Sequence, residues 1–135
     1  MQMSSMLLNP KLTGDIYSTN EVKTNKKWIN GKPIYKKTFQ FGPSAFTTQR
    51  QDIAHNIANI DMVVHYECFM YRNNENSIAY RQFPSIYYGN LQGWAGQMFA
   101  TPTLIKFELG TNLLAEMQLT NSITSVTLEY TKTTD

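Results

Sequence analysis

Apolar and polar positions alternate with a period of two along most of this chain, and a helical period is confined to one short stretch. Tyr35, Phe39 and Phe41 interleave with Lys36, Thr38 and Gln40, the pattern of a half-buried strand that Gly42-Pro43-Ser44 closes. Just before it, Trp28-Ile29-Asn30-Gly31-Lys32-Pro33-Ile34 reads as a hairpin. Asn-Gly supplies two residues that accept positive φ, as a type I′ turn requires, and Pro33, lacking an N–H, belongs at a strand start or an edge. Met62–Arg72 is the longest strand candidate. One of its faces carries Val63, His65, Glu67, Phe69 and Tyr71; the other carries Val64, Tyr66, Cys68, Met70 and Arg72, is more apolar, and is assigned to the core. Asn73-Asn74-Glu75-Asn76 turns the chain, and Ser77–Phe83 returns as the second strand of a hairpin. Pro84–Ala95 reads as a long loop or an irregular strand pair. Gln97–Ala100, Thr103–Leu109, Leu113–Leu119 and Ser125–Thr131 follow as strands, with Gly110-Thr111-Asn112 as a tight turn between two of them. The helical stripe is Ile53, Ile57 and Ile60 with Ala54 and Ala58, which predicts a short helical turn near Asp52–Asp61.

About eight short strands at close spacing predict an all-β fold, an antiparallel β-sandwich of jelly-roll-like kind. A single domain is expected over 15–135, with 1–14 as an extension whose Met6-Leu7-Leu8 is too apolar for a free tail and suits a neighbouring subunit. Composition sharpens this picture. Of 135 residues 41% are apolar, enough for a core, but only 16% are charged, and Thr, Asn, Ser and Gln fill the gap. No apolar run approaches the roughly 18 residues of a membrane span, so no membrane insertion is expected. The first residues do not read as a secretory signal. A net charge of +2 gives no strong drive toward nucleic acid.

Catalytic chemistry finds little support. His55 and His65 are the only histidines, and with Glu67, Asp52 and Asp61 they make a poor metal set, so no metal or other cofactor is expected. Cys68, mid-strand between Tyr66 and Met70, is an inert apolar thiol rather than a nucleophile. No nucleophile elbow, P-loop or dinucleotide glycine motif is present. A glycosidase would need two converging carboxyls; Glu67, Glu108, Glu116 and Glu129 fall on predicted strands, on solvent faces. The reading is therefore a non-enzymatic protein.

Two constellations suit binding. Lys23, Lys26, Lys27, Lys32, Lys36 and Lys37 crowd around Trp28 and Tyr35. They suit either weak steering of anionic polymers or a solvated hairpin whose lysines discourage edge pairing; Trp28 itself is assigned a structural role beside the turn. Tyr80, Arg81, Tyr87, Tyr88, Asn90, Gln92 and Trp94 form the better candidate. Rings cover the C–H faces of sugars, and Arg, Asn and Gln pair with hydroxyls. The alternative is that these rings pack in the core or between subunits.

Tyr17-Ser18-Thr19-Asn20-Glu21, Trp28 through Thr38, Ile57-Ala58-Asn59-Ile60-Asp61 and Val126-Thr127-Leu128-Glu129-Tyr130-Thr131-Lys132 together resemble small domains of tailed-bacteriophage structural proteins. The resemblance is to C-terminal parts of tail fibres and other receptor-binding proteins, and it spans roughly Tyr17–Asp135. It implies a β-rich virion component, homotrimeric, that contacts other virion proteins and binds a host-surface glycan or protein. The alternative within that class is a head-fibre, decoration or baseplate protein that binds virion proteins alone. Where the family version often reads His-Gly-Ile, this chain has His55-Asn56-Ile57; Asn is the next residue to tolerate a positive φ there. A charge-poor surface also suits burial against symmetry mates, and three weak sites on one rigid body gain avidity.

Overall fold

A computed structural model describes residues 16–74, 77–84 and 91–135. Eight strands form two antiparallel sheets. Five of them, β1 (Val22–Lys27), β2 (Pro33–Phe41), β8 (Ser122–Lys132), β4 (Ile60–Asn74) and β5 (Ser77–Phe83), lie side by side in that order. The second sheet has the order β3 (Arg50–Ala54), β7 (Leu104–Leu109), β6 (Gly96–Ala100). Two helices, α1 (Leu91–Trp94) and α2 (Thr111–Met117), and a 3-10 turn at Pro43–Ala45 complete the described elements. The all-β sandwich expected from the alternation is the observed architecture.

One core joins the sheets. Cys68 and Met70 of β4 and Val126, Leu128 and Tyr130 of β8 meet Met98 of β6 and Ile105, Phe107 and Leu109 of β7. Phe107 is its hub: Phe46 stands edge-on to it at 5.1 Å, Phe83 at 6.0 Å and Phe41 at 6.3 Å. Each edge-to-face pair contributes about 0.5–1.5 kcal/mol beyond area burial.

Three local expectations are corrected. The stripe at Asp52–Asp61 is not helical: Arg50–Ala54 is β3, with Ile53 opposite Ile105, and left-handed backbones at Asn56 (φ 56°) and Asn59 (φ 61°) carry the chain onward. Isoleucines at helical spacing are served equally well by a short strand and a loop that tucks Ile57 inward. The segment 113–119 is not a strand, nor is Gly110-Thr111-Asn112 a strand-to-strand turn: Gly110 is the N-cap of α2, which buries Leu113, Glu116 and Met117. Leu, Ala, Glu and Met favour helix, and burial at i, i+3 and i+4 is a helical stripe. The hairpin at Asn30-Gly31 exists, but only Gly31 has positive φ (87°). Gly31 N–H donates to the Trp28 carbonyl and Trp28 N–H to that of Lys32, the bonding of a type I turn with a glycine bulge rather than a type I′ turn.

At Asn56, where the His-Gly-Ile pattern of the resemblance raised a positive φ as a condition that Asn would tolerate, φ is positive. Its neighbour His55, 2% exposed, fixes the loop: Nε2–H donates to the Thr101 carbonyl at 3.0 Å, and Nδ1 accepts the Ile57 N–H at 3.1 Å. That pairing defines the neutral tautomer with its proton on Nε2.

Candidate binding face

Register decides which side chains share a face, because directly opposed residues of antiparallel strands point the same way. On β4 the pairing slips between Val63 and His65. Val63 opposes Tyr130 and packs against the core, whereas His65 opposes Glu129 and is exposed. The bulge therefore splits the face that alternation had assigned jointly to Val63, His65, Glu67, Phe69 and Tyr71. Of the face assigned to the core, Cys68 and Met70 are buried, but Tyr66 is 46% exposed and Val64 only half-buried.

The outer face of the five-stranded sheet is then a series of rungs. Lys36, Glu129 and His65 form one; Thr38, Thr127 and Glu67 the next; Gln40, Ser125, Phe69 and Gln82 the third; Ile123, Tyr71 and Tyr80 the last. The character changes from charge to hydroxyl to ring along the sheet. At the ring end Phe69 and Tyr71 are 6.3 Å apart with planes at 26°, and Tyr71 and Tyr80 are 5.8 Å apart at 25°. Phe69 is 40% and Tyr80 72% exposed. Three near-parallel rings thus share this face, with Tyr71 half-buried between the exposed Phe69 and Tyr80.

Toward the other end the segment before β1 runs beside β2, and its Tyr17 side chain reaches over the sheet. Thr38 N–H donates to the Ser18 carbonyl at 2.9 Å, the Lys36 ammonium lies 4.3 Å from the Tyr17 ring centre, and the Tyr17 hydroxyl donates to Glu67 at 3.4 Å. The Glu67 carboxylate, and secondarily burial, hold the Tyr17 hydroxyl above the ordinary tyrosine range.

The candidate residues read from sequence divide. Tyr80 belongs to the ring ladder. Arg81, its neighbour, opposes Met70 and points to the other side of the sheet. There it pairs with Glu116 of α2 and lies 4.5 Å from the Trp94 ring centre, while Trp94 packs against the core. Arg72 reaches the same carboxylate at 3.8 Å, so this charged cluster fastens α2 to β4 and β5. Gln92 lies in α1. Tyr87, Tyr88 and Asn90 lie outside the described residues, as does the extension 1–14. Phe69 and Tyr71 were missed; the available signal was two rings two residues apart on a face otherwise assigned to solvent.

Several other expectations are resolved by contacts. Two of the six lysines of this stretch are ion-paired, Lys26 with Glu129 at 2.9 Å and Lys32 with Asp61 at 2.9 Å, while Lys36 lies over the Tyr17 ring and Lys37 over Phe39. Glu116 is neither on a strand nor on a solvent face; it is buried in α2. Glu108 accepts a bond from Gln97, and Glu67 one from Tyr17. Desolvation raises the Cys68 thiol above its ordinary range, which keeps it protonated and unreactive. Among the described residues no three His, Cys, Asp or Glu side chains converge on a point, and no helix is long and apolar enough to cross a membrane. Comparison with family models, with curated proteins and with solved structures found no match to this chain.

Proposed function

We propose that this chain is a non-enzymatic attachment module of a tailed-phage virion, of tail-fibre type, which acts as a homotrimer and binds a host-surface glycan or protein. The observation that carries the reading is the exposed ladder of Phe69, Tyr71 and Tyr80. Folding gains little from leaving Phe69 and Tyr80 in water on either side of the half-buried Tyr71, whereas a ligand that covers them gains their apolar area and meets rings that lose little rotamer freedom. Gln82 and Gln40 on the adjoining rung supply hydrogen-bonding groups beside the rings. The resemblance of 17–135 to virion fibre domains supports the same reading. Three copies of a weak site on one body raise effective affinity by orders of magnitude.

The test is adsorption to host cells and to a glycan array, with the protein wild type and as Tyr71→Ser/Tyr80→Ser. Loss of at least about tenfold in binding, with the folded circular dichroism spectrum retained and a stability change of no more than about 1 kcal/mol, supports the reading. Undiminished binding removes the ladder from it. Binding to virion proteins alone moves the chain to the head-fibre, decoration or baseplate class. A monomer by light scattering at micromolar concentration removes the trimer and its avidity.

A further inference from the structure

The other end of the same outer face holds a second constellation. Lys26, Lys27, Trp28, Ile34, Val64, His65 and Glu129 enclose a groove of about 590 Å³ between the first hairpin and the β4 bulge. Ile34, which is buried, and Val64 make an apolar lining, and the half-buried Trp28 ring adds an aromatic wall. Glu129 is committed to Lys26 at 2.9 Å. The side chains of Lys27 and His65 are both exposed, and neither has a hydrogen-bond or ion-pair partner among the described residues. The groove therefore combines a ring, an apolar lining and unspent nitrogen donors, while its single carboxylate is already neutralised. A neutral sugar would satisfy the ring and the lining but leave the charge unused. An anion without a ring-sized body would do the reverse.

We infer that this groove binds an anionic sugar unit, its C–H face against Trp28 and its acidic group toward Lys27 and His65. The inference rests on the attachment reading and assigns it a ligand class at a site separate from the ring ladder. The acidic group is a carboxylate or a phosphate ester, since both accept charge-assisted bonds from an ammonium.

The chain's two tryptophans make the test direct. Fluorescence is titrated in Trp94→Phe, where Trp28 is the sole reporter, with sialyllactose, N-acetylglucosamine 6-phosphate, lactose and inorganic phosphate. At least one acidic sugar is expected to perturb Trp28 about tenfold more tightly than lactose or inorganic phosphate, and the two acidic arms distinguish carboxylate from phosphate. Lys27→Gln, an exposed substitution, is expected to weaken that binding at least about fivefold, and His65→Ala to weaken it less. Equal binding of lactose, binding of phosphate alone as an adventitious ion only, no binding of either acidic sugar, or indifference to Lys27→Gln overturns the proposal. Tyr71→Ser/Tyr80→Ser should leave this titration unchanged. If cell adsorption is lost in that ladder variant but retained in Lys27→Gln, and the acidic sugars do not bind, the attachment reading stands and the groove falls alone.

Discussion

The two sheets bury their inner faces on one core, yet their outer faces are built differently. On the three-stranded sheet the outward rungs are mostly polar: Arg50, Glu108 and Gln97 across one, and Asp52, Lys106 and the half-buried Phe99 across the next, with the Asp52–Lys106 ions 3.4 Å apart. On the five-stranded sheet the outward residues run from the Lys36–Glu129 rung to the Phe69–Tyr71–Tyr80 ladder. Cross-strand polar pairs are what a solvated face needs, and each is worth little by itself. Rings are not needed there, because a solvated strand face is satisfied by Thr, Gln or Lys. The contrast is between a face of mostly paired polar groups with one ring among them and a face that ends in three stacked rings, within one molecule and one composition.

The strongest way to break the comparison is to remove what both faces share. Phe107→Ala, at the centre of three edge-to-face contacts, is expected to cost about 3–5 kcal/mol in urea unfolding. A loss below about 1 kcal/mol would mean that the sheets do not depend on that hub. Next is Glu116→Ala, which leaves Arg81 and Arg72 beside α2 without their shared carboxylate. The expected cost is about 2 kcal/mol, reduced from the fully buried case because Arg81 retains 29% of its side-chain exposure. A measured change under about 0.5 kcal/mol would show that the cluster does not fasten α2.

The faces themselves are compared by matched double variants. Tyr71→Ser/Tyr80→Ser and Asp52→Ser/Lys106→Ser are each expected to change stability by no more than about 1 kcal/mol. Only the first should reduce adsorption; equal losses from both would erase the distinction between the faces. The smallest effect is electrostatic. The bond from Lys32, and then that from the Thr131 hydroxyl, hold Asp61 below the ordinary carboxylate range. A carboxyl so lowered adds stability above its unfolded value of about 4, and that stability disappears as the pH falls through the folded value. In Asp61→Asn the urea midpoint should therefore fall less steeply between about pH 5 and pH 3 than in the wild type. Identical slopes would remove Asp61 from the acid response.

How much of this the sequence carried depends on how local each cause is. Alternation along Tyr35–Phe41 and Cys68–Met70 is imposed by the strand itself, so those elements and the inert thiol were legible. The positive φ at Asn56 was raised only as a condition by the His-Gly-Ile resemblance, and those at Asn59 and Asn121 were not read at all, because asparagine tolerates that backbone without requiring it. The β4 bulge was not: a slip between Val63 and His65 is a property of pairing with β8, and no residue near it announces the slip. The α2 helix was missed because Leu113-Leu114-Ala115 is apolar enough to pass for a buried strand, and its helical register shows only once Glu116 meets Arg81. The candidate site was half legible for a geometric reason. Tyr80, Arg81 and Trp94 are close in sequence, but consecutive strand residues point apart, so Tyr80 went to the ladder and Arg81 to the helix anchor. Phe69 and Tyr71 join Tyr80 through cross-strand register, which no window of sequence reveals.

The chain's one sulfhydryl is sealed beneath the β4 strand at 2% exposure. Maleimide chemistry therefore has no competing target on the folded molecule, and a thiol introduced at Gln82 or at Asn30 becomes a unique handle. Fluorophores attached there would place optical reporters beside the ring end or at the hairpin tip without first deleting the native sulfur.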